Sequence, residues 1–359
     1  MKDYPYIYEF KSNLVSWFLR EKRDLPWRHT KDPYKIWVSE VMLQQTRVDT
    51  VIPYYNRFIE VYPTLEHLAA APEEQLLKYW EGLGYYSRVR NLQAGVKEVV
   101  ENYGSVVPNT RAEISKLKGV GPYTAGAVLS IAYGVPEHAV DGNVMRVLSR
   151  ILNIDADIAL PKTKKIFEEA VMMLIDEQNT SAFNQGLMEL GALICTPTSP
   201  KCLLCPVREQ CTAFAEGNQS ELPVKSKKIK TKNVHYKVLI AVDKRGNYLV
   251  EKRNDSGLLA NMWQFPMIEE ETIEAAINKF KADYNISLQE GYLPLMQFKH
   301  VFSHLVWHLD AYLLDVNEFD SNSETEQRKF IQLSALNQLP MPVPMLKLKN
   351  SFEDKNSNA

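Results

Sequence analysis

The sequence predicts two structural classes in one chain, an all-α region of about 215 residues followed by a smaller α+β domain. From Phe10 onward, apolar residues recur at the spacing of amphipathic helices. At Val234 the period changes to two, which is typical of half-buried strands. The stretch between the two regions begins with small polar residues and continues with a run of lysines, as expected of a linker. The predicted divisions are a helical domain at 1–216, a basic linker at 217–232, an α+β domain at 233–350 and a disordered tail at 351–359.

The composition is that of an ordinary globular protein, with 45% hydrophobic and 24% charged residues among 359. No apolar run reaches the roughly 18 residues of a membrane span, and the N-terminus lacks the apolar core of a signal peptide. We therefore expect a cytoplasmic protein with no membrane partner. The net charge of −2 does not by itself indicate a nucleic-acid binder. Acidic residues are concentrated after Ile268, however, which leaves the preceding region mildly basic and compatible with a DNA enzyme.

Two stretches near the N-terminus carry residue types suited to holding a base. Trp27 and Arg28 lie in a turn-like segment, where they either cap the preceding helix or hold a planar base by stacking and hydrogen bonding. A helix beginning near Pro33 is predicted to carry Val38–Thr46, with Glu40 among apolar neighbours. A glutamate on a helix is usually a surface residue, so Glu40 is a candidate only because of those neighbours. The polar Gln-Gln-Thr end suits a wedge inserted into a base stack.

A glycine-flanked aromatic loop at Gly82–Arg88 has two interpretations. Its tyrosines either intercalate between bases or pack in the protein core. Prolines and glycines separate the predicted helices from one another and from this loop. These helices lie at 48–61, 73–80, 87–102, 111–118, 124–133, 143–152, 162–177 and 181–194.

The segment Leu117–Ala127 is predicted to be a tight turn between two helices. Gly119 and Gly121 permit positive φ, and Pro122 suits the first position of the next helix. The backbone N–H groups of such a turn, with the helix N-terminus, form an anion site suited to one DNA phosphate. An ordinary corner between two helices is the alternative. An Asp-Gly-Asn turn at 141–143, one helix later, favours the functional interpretation.

The chain contains four cysteines in one cluster with the spacing C-x6-C-x2-C-x5-C. In a reducing compartment this clustering indicates a metal site, and two disulfides are the alternative. Four-cysteine sites hold either zinc or an iron–sulfur cluster, so the spacing alone leaves the metal open. The candidate ligands are Cys195, Cys202, Cys205 and Cys211.

The C-terminal region is predicted to contain strands and one amphipathic helix. Alternating apolar residues from Val234 lead to a turn at 243–247 and a returning strand. The helix starts near Ile273, and further strands are expected at 293–299 and 304–314.

Together the turn at Leu117–Ala127 and the Asp-Gly-Asn turn resemble the helix-hairpin-helix and catalytic Asp of the endonuclease III superfamily. The cysteine spacing is similar to the [4Fe–4S] loop of that superfamily. Gly257–Pro266 resembles the Nudix fold, but the Arg-Glu-x-x-Glu-Glu signature of Nudix hydrolases is absent, so we expect no hydrolase activity of that kind. The ordered combination resembles the MutY family. The resemblance implies a multidomain chain, an all-α helix-hairpin-helix glycosylase domain with a [4Fe–4S] loop at 195–211 plus an α+β Nudix-like domain.

The resemblance to the MutY family implies a monomeric, nucleoid-associated enzyme acting on double-stranded DNA that contains adenine opposite 8-oxoguanine. In the expected mechanism Glu40, kept protonated by desolvation, donates a proton to the leaving adenine. Asp141, ionised beside backbone N–H groups, stabilises the oxocarbenium ion or captures it. Asn143 orients the acid and the sugar, and Tyr123 hydrogen-bonds near Asp141.

The same resemblance assigns DNA contacts to several separated segments. Their expected roles are to hold the flipped base, fill the gap in the stack, bind a phosphate and inspect 8-oxoguanine through an exposed loop. Trp27, Arg28 and Gln185 are expected to hold the base, and Gln45, Thr46, Leu83 and Tyr85 to fill the gap. Lys118, Gly119 and Gly121 are expected to bind the phosphate, and Phe302, Ser303 and His304 to inspect 8-oxoguanine.

Three other functions remain open on the sequence. A strand-cleaving lyase of the endonuclease III type uses a Lys where this chain has Tyr123, and tyrosine forms no Schiff base. A non-catalytic binder of damaged DNA leaves Glu40 and Asp141 without a role. An iron–sulfur electron carrier explains the cysteines but neither the hairpin nor the second domain.

Overall fold

The computed structural model describes residues 4–226, 231–319 and 324–356, which form two compact units. The first unit comprises Met1–Ala70 and Ser87–Lys227, and the second comprises Ala71–Tyr86 and Lys228–Ala359. The segment Ala71–Tyr86 therefore groups with the second unit, although the sequence places it inside the helical region 1–216. Among the described residues, no helix combines the length and apolar character needed to cross a bilayer.

The first unit is built from helices joined by short loops and 3-10 turns. Its described helices are α1 (Ile7–Glu21), α2 (Pro33–Leu43), α3 (Val48–Val61), α4 (Leu65–Ala70), α6 (Ser87–Asn102), α7 (Arg111–Ile114), α8 (Pro122–Ala132), α9 (Gly142–Ile151), α10 (Lys164–Leu174), α11 (Thr180–Leu193) and α12 (Thr212–Glu216), with α5 (Glu73–Tyr79) belonging to the second unit. These helices confirm the predicted all-α class of this region.

Side-chain caps fix where the two helices that carry the candidate acids begin. The Asp32 side chain accepts a hydrogen bond from the Tyr34 N–H, with Pro33 at the first position of α2. The Asp141 side chain likewise accepts a hydrogen bond from the Val144 N–H at the start of α9. Buried residues of α1, α9, α10 and α11 form one apolar core that holds these helices together.

The helix that carries Glu40 ends earlier than the sequence predicts. Its last residue is Leu43, so the Gln-Gln-Thr stretch is a turn rather than helix. Gln45 has a φ of +59°, a left-handed conformation that a continuing helix does not permit. The turn exposes Gln45, as a wedge requires.

The second unit is an eight-stranded sheet covered by helices, counted over the described residues. Its strands are β1 (Lys232–Val242), β2 (Asn247–Lys252), β3 (Trp263–Gln264), β4 (Met267–Ile268), β5 (Ile286–Leu288), β6 (Leu293–Val301), β7 (Leu305–Phe319) and β8 (Arg328–Gln332). Its helices, besides α5, are α13 (Ile273–Tyr284), α14 (Leu333–Leu336) and α15 (Val343–Asn356). β1 pairs in parallel with β7, and β6 pairs with β7 as an antiparallel hairpin.

Both faces of this sheet are buried. Successive residues of a strand point to opposite faces, and Val238 packs in one apolar cluster while Leu239 packs in another. Met345 of α15 belongs to the first cluster and Phe280 of α13 to the second. The predicted α+β class is confirmed, with helices on both sides of the sheet.

The prediction of a disordered tail at 351–359 is wrong for residues 351–356. The last helix, α15, continues to Asn356, so residues 351–356 are helical, and residues 357–359 lie outside the described part of the chain. Met345 and Leu348 of this helix pack in the core and stabilise it. The helix therefore continues into a polar sequence that composition alone predicts to be disordered.

Candidate active site

The first unit contains a pocket of about 160 Å³ enclosed by α2, α8, α9 and α11. Residues predicted from separate stretches of the sequence line this one cavity. They are Trp27, Arg28, Glu40, Thr46, Tyr123, Asp141, Asn143 and Gln185. The fold therefore brings the predicted acids and the predicted base-holding residues together.

Glu40 lies in the pocket wall with only 5% of its surface exposed. Burial raises the pKa of its carboxyl to about 7, since a buried carboxylate loses its hydration. The nearby Asp141 raises this pKa further, whereas a hydrogen bond from Tyr123 and the charge of Arg28 lower it. The carboxyl can therefore hold and release a proton near neutral pH.

Tyr123 hydrogen-bonds to Glu40, an acid that lies near Asp141. Its hydroxyl donates to Oε2 of Glu40 at 2.5 Å and lies 3.7 Å from Sδ of Met188. The reason is geometric, because α8 packs against α2 and directs the Tyr123 side chain towards Glu40. Burial and the two nearby acids raise the pKa of Tyr123 well above its ordinary value, so its hydroxyl stays a donor.

Asp141 is held at the N-terminus of α9 by two hydrogen bonds. Its Oδ1 accepts from the Val144 N–H at 2.7 Å, and its Oδ2 accepts from Nδ2 of Asn143 at 2.9 Å. Burial raises the pKa of Asp141, and these two donors oppose that rise. Asn143 is in turn oriented by Nη2 of Arg146, which donates to Oδ1 of Asn143 at 2.8 Å.

Trp27, Arg28 and Gln185 form one wall of the pocket. Trp27 is buried and packs edge-on against Tyr55. Nε of Arg28 donates to Oε1 of Gln185 at 3.3 Å, and Glu189 binds the end of the guanidinium. Sequence reasoning missed Glu189, because it looks like any acidic helix residue and its partners lie more than 160 positions away.

Of the two glycines expected to permit a positive φ in the predicted phosphate-binding turn, Gly119 adopts one and Gly121, with a φ of −85°, does not. Gly119 has a φ of +77°, and a Cβ at this position would lie 2.7 Å from Cβ of Asn91, so only glycine fits. Lys118, Gly119 and Gly121 are exposed. The backbone N–H of Lys118, however, donates to Oε2 of Glu98 at 2.9 Å, so this amide is already engaged by a carboxylate.

The turn after α2 is held in place by Arg88, which the sequence reasoning did not single out. Nη1 of Arg88 donates to the backbone carbonyls of Val41 at 2.8 Å and Met42 at 3.1 Å. Nη2 reaches Oγ1 of Thr46 at 3.3 Å. Thr46 thereby keeps a fixed position beside the exposed Gln45.

In the second unit, two segments predicted to contact DNA meet each other. The hydroxyl of Tyr85 lies 2.7 Å from Oγ of Ser303, and both residues are exposed. Leu83 and Tyr86 are buried, so the aromatic loop has one outward tyrosine and one in the core. Ser303 and His304 lie in the turn between β6 and β7, as predicted.

The expected exposure of Phe302 is wrong. Phe302 is half-buried, with its ring centroid 4.8 Å from that of Trp307 and 4.6 Å from that of His300. The Phe302 N–H donates to the Leu305 carbonyl at 2.7 Å, which tightens the turn and directs the ring back onto the core of the second unit.

The four cysteines line one cavity of the first unit together with Arg150. Burial raises the pKa of Cys205 to about 12 and that of Cys211 to about 11. Nη1 of Arg150 lies 3.2 Å from Sγ of Cys195. Within the described ranges, no three His, Cys, Asp or Glu side chains are arranged to hold a single metal ion. Four thiols around a shared cavity suit either a [4Fe–4S] cluster or a four-cysteine zinc site.

Comparisons with known proteins agree with this two-part architecture. Residues 38–175 match the HhH-GPD superfamily base excision DNA repair protein model, and residues 237–351 match the NUDIX domain model. The adenine DNA glycosylase of Mus musculus is 34% identical, covering 96% of this chain and 78% of the mouse protein. That of Buchnera aphidicola subsp. Schizaphis graminum is 32% identical, covering 97% of this chain and 99% of its own.

Two solved structures each match more than half of the chain. A thermostable thymine-DNA glycosylase is 31% identical with a TM-score of 0.54, covering 58% of this chain and 97% of that one. A trapped endonuclease III–DNA covalent intermediate is 27% identical with a TM-score of 0.51, covering 60% and 99%. The chain therefore belongs to the MutY family, the adenine DNA glycosylases of the HhH-GPD superfamily, which remove adenine in base excision repair.

Proposed function

We propose that this enzyme flips out adenine paired with 8-oxoguanine, or with guanine, and hydrolyses its N-glycosidic bond in the pocket around Glu40. A base inside a duplex is out of reach of any side chain, so excision requires extrusion into a pocket. The observation that carries the proposal is a buried carboxyl, Glu40, with a pKa raised to about 7, in the same pocket as Asp141.

Glu40 is proposed as the general acid. Breaking the N-glycosidic bond releases adenine as a poor leaving group unless its ring nitrogen is protonated, and a carboxyl still protonated near neutral pH supplies that proton. Tyr123 keeps the carboxyl oriented through its hydrogen bond to Oε2. After the base departs, the ionised Glu40 is placed to orient the attacking water.

Asp141 is proposed to stabilise the positive charge that develops on the sugar. Two carboxyl groups in unlike environments divide the roles of acid and stabiliser, as in glycoside hydrolysis. The Val144 N–H and Asn143 hydrogen bonds favour the charged form of Asp141 and oppose the effect of its burial. Asp141 either acts electrostatically or forms a short-lived covalent bond to the sugar carbon.

The proposed product is an abasic site in an unbroken strand. Tyr123 occupies the position where the lyases of the superfamily carry a Lys, and a phenol forms no Schiff base with the opened sugar. Lys118, in the hairpin turn, is exposed and is assigned to the DNA backbone with Gly119 and Gly121.

Recognition of the opposite strand is assigned to exposed residues of both units. Gln45 and Tyr85 are proposed to fill the gap left by the flipped base, supported by Thr46 and the Leu83 backbone. Ser303 and His304 are proposed to hydrogen-bond to 8-oxoguanine. The contact between Tyr85 and Ser303 supports a joint role, since it places an aromatic platform beside a hydroxyl donor.

The cysteines are proposed to hold a [4Fe–4S] cluster with a structural role. Cys195, Cys202, Cys205 and Cys211 supply four thiolates, and the cluster's bonds to them contribute folding energy to a loop with little secondary structure. Arg150 offsets the negative charge of the ligands through its guanidinium beside Cys195.

The proposed role of Glu40 is tested by the isosteric substitution Glu40→Gln. An amide delivers no proton, so single-turnover excision on a duplex with adenine opposite 8-oxoguanine is expected to fall by about 10²–10⁴-fold, with duplex binding retained. Glu169→Gln, on the exposed face of α10, is the matched control and should excise adenine normally. Near-normal excision by Glu40→Gln would remove Glu40 from the mechanism.

A further inference from the structure

Glu189 of α11 is an acidic residue that the proposed mechanism does not use, yet it borders the same pocket. Its side chain is 2% exposed, and both carboxylate oxygens are paired. Nε and Nη2 of Arg23 donate to it at 2.9 and 2.7 Å, and Nη1 and Nη2 of Arg28 donate at 3.0 Å each. One carboxylate thus holds two guanidinium groups in paired, fork-like contacts.

These contacts determine the position of Arg28. Nη1 of Arg28 also donates to the Arg23 carbonyl at 2.9 Å, Nε contacts Gln185, and the guanidinium lies 5.1 Å from the ring centroid of Phe18. The Arg28 side chain is only 10% exposed. Because its planar group is held on several sides, Arg28 presents one fixed geometry to the pocket.

We propose that Glu189 is a positioning residue for adenine excision, which fixes Arg28 in the pocket wall and offsets its positive charge next to Glu40. The proposal rests on the function proposed above for Glu40. It assigns to Glu189 no contact with the substrate, only an action through Arg28.

The charges around Glu40 explain why this offset matters. The ionisable groups lining the pocket with Glu40 are Tyr123 of α8, Asp141 at the start of α9, Arg28 in the turn before α2, Arg23 after α1 and Glu189 of α11, while α3 contributes Val48. The charge of Arg28 lowers the pKa of Glu40. Hydrogen bonds from the two arginines outweigh the effect of burial and lower the pKa of Glu189 to about 2, so Glu189 stays ionised.

Removing Glu189's charge should therefore change the pH dependence of excision. Glu40 must be protonated, so the wild-type rate falls as the pH rises through its pKa. In Glu189→Gln, Arg28 is no longer offset and favours the Glu40 carboxylate, so the midpoint of this fall moves to lower pH by about one unit. In Arg23→Gln, the negative charge of Glu189 is no longer shared between two arginines and offsets only that of Arg28. The pKa of Glu40 therefore rises, and the midpoint of the fall in rate moves to higher pH.

The measurement is single-turnover excision at saturating enzyme, on adenine opposite 8-oxoguanine, over about pH 5–9. Glu137→Gln is the matched control, because it breaks another part-buried Arg–Glu pair, with Arg111, outside the pocket lining. This control should keep the wild-type midpoint. A midpoint does not depend on how much of the enzyme is active, so partial misfolding of a variant does not mask the shift.

Opposite shifts in the two variants would establish the proposal, and if Glu189→Gln fails to fold, the direction of the Arg23→Gln shift decides. An unchanged midpoint, with the rate reduced by the same factor at every pH as in the control, would overturn it and leave Glu189 a structural role. A wild-type enzyme that excises no adenine, or whose rate does not fall with rising pH, would contradict the proposed function of Glu40 instead.

Discussion

At the scale of single residues, the candidate chemistry depends on one carboxyl that is kept out of water. The carboxyl of Glu40 is buried and accepts a hydrogen bond from the Tyr123 hydroxyl, whereas Glu189 in the same pocket is bound by two arginines. Burial accordingly raises the pKa of the first, while paired hydrogen bonds lower that of the second. At neutral pH Glu189 is therefore ionised, whereas Glu40 is still partly protonated.

This arrangement predicts that Glu40→Gln stabilises the folded protein above neutral pH. The pKa of Glu40 is about 7 in the folded state against 4.5 in the unfolded chain, so the unfolded chain releases the proton first as the pH rises. The resulting cost to folding appears above about pH 4.5 and is complete above about pH 7, where it amounts to about 3 kcal/mol. Glutamine avoids this cost.

Thermal unfolding at about pH 5 and pH 8 tests this expectation. The Tm of Glu40→Gln should exceed that of the wild type at the higher pH, and the difference should shrink at the lower one. Glu169→Gln should show no such trend. A Glu40→Gln protein that is less stable than the wild type at both pH values would count against a raised pKa.

At the scale of elements, the sequence predicts long periodic helices well and short or tertiary features poorly. α3 and α6 have the predicted bounds, 48–61 and 87–102, because long apolar faces define them. α4, at Leu65–Ala70, is too short to show a period and was not predicted. The hydrogen bond from Tyr123 to Glu40 was not predicted, because it depends on how α8 packs on α2 across 83 positions of sequence.

The cysteine loop carries a prediction at this scale. Purified protein should show broad absorbance near roughly 400 nm from thiolate–iron bonds. Cys211→Ser should lose this colour and much of its thermal stability, because the ligand bonds hold the loop. Leu203→Ala, in the same loop and 78% exposed, should keep both. A colourless wild-type protein with one zinc per chain would contradict the assignment.

At the scale of the whole molecule, the two units carry different parts of the proposed task. The first unit holds the acids, and the second presents Tyr85 and Ser303. The sequence shows each motif, but not that Ala71–Tyr86 folds with the second unit. That grouping depends on hydrogen bonds of long sequence separation, such as Nε1 of Trp263 to Glu74 and the Met341 N–H to Glu81.

Ser303→Ala should weaken the preference for adenine opposite 8-oxoguanine over adenine opposite guanine. Loss of one hydrogen bond to a base edge removes about 1 kcal/mol of discrimination, or about fivefold in the ratio of excision rates. Ser303 is preferable to Phe302 as the site of change, since Phe302 packs on Trp307. Ser287→Ala, an exposed serine in β5, is the control. An unchanged ratio in Ser303→Ala would remove this residue from lesion recognition.

The most direct measurement is the product formed from an end-labelled duplex with adenine opposite 8-oxoguanine. Wild-type enzyme should yield free adenine and an intact strand that breaks at the former adenine only after heating in alkali, because no amine takes the place of Tyr123 in the pocket. Borohydride should trap no adduct, and adenine opposite thymine should remain in place. Prompt strand breakage without alkali, accompanied by a borohydride-trapped adduct, would contradict the account.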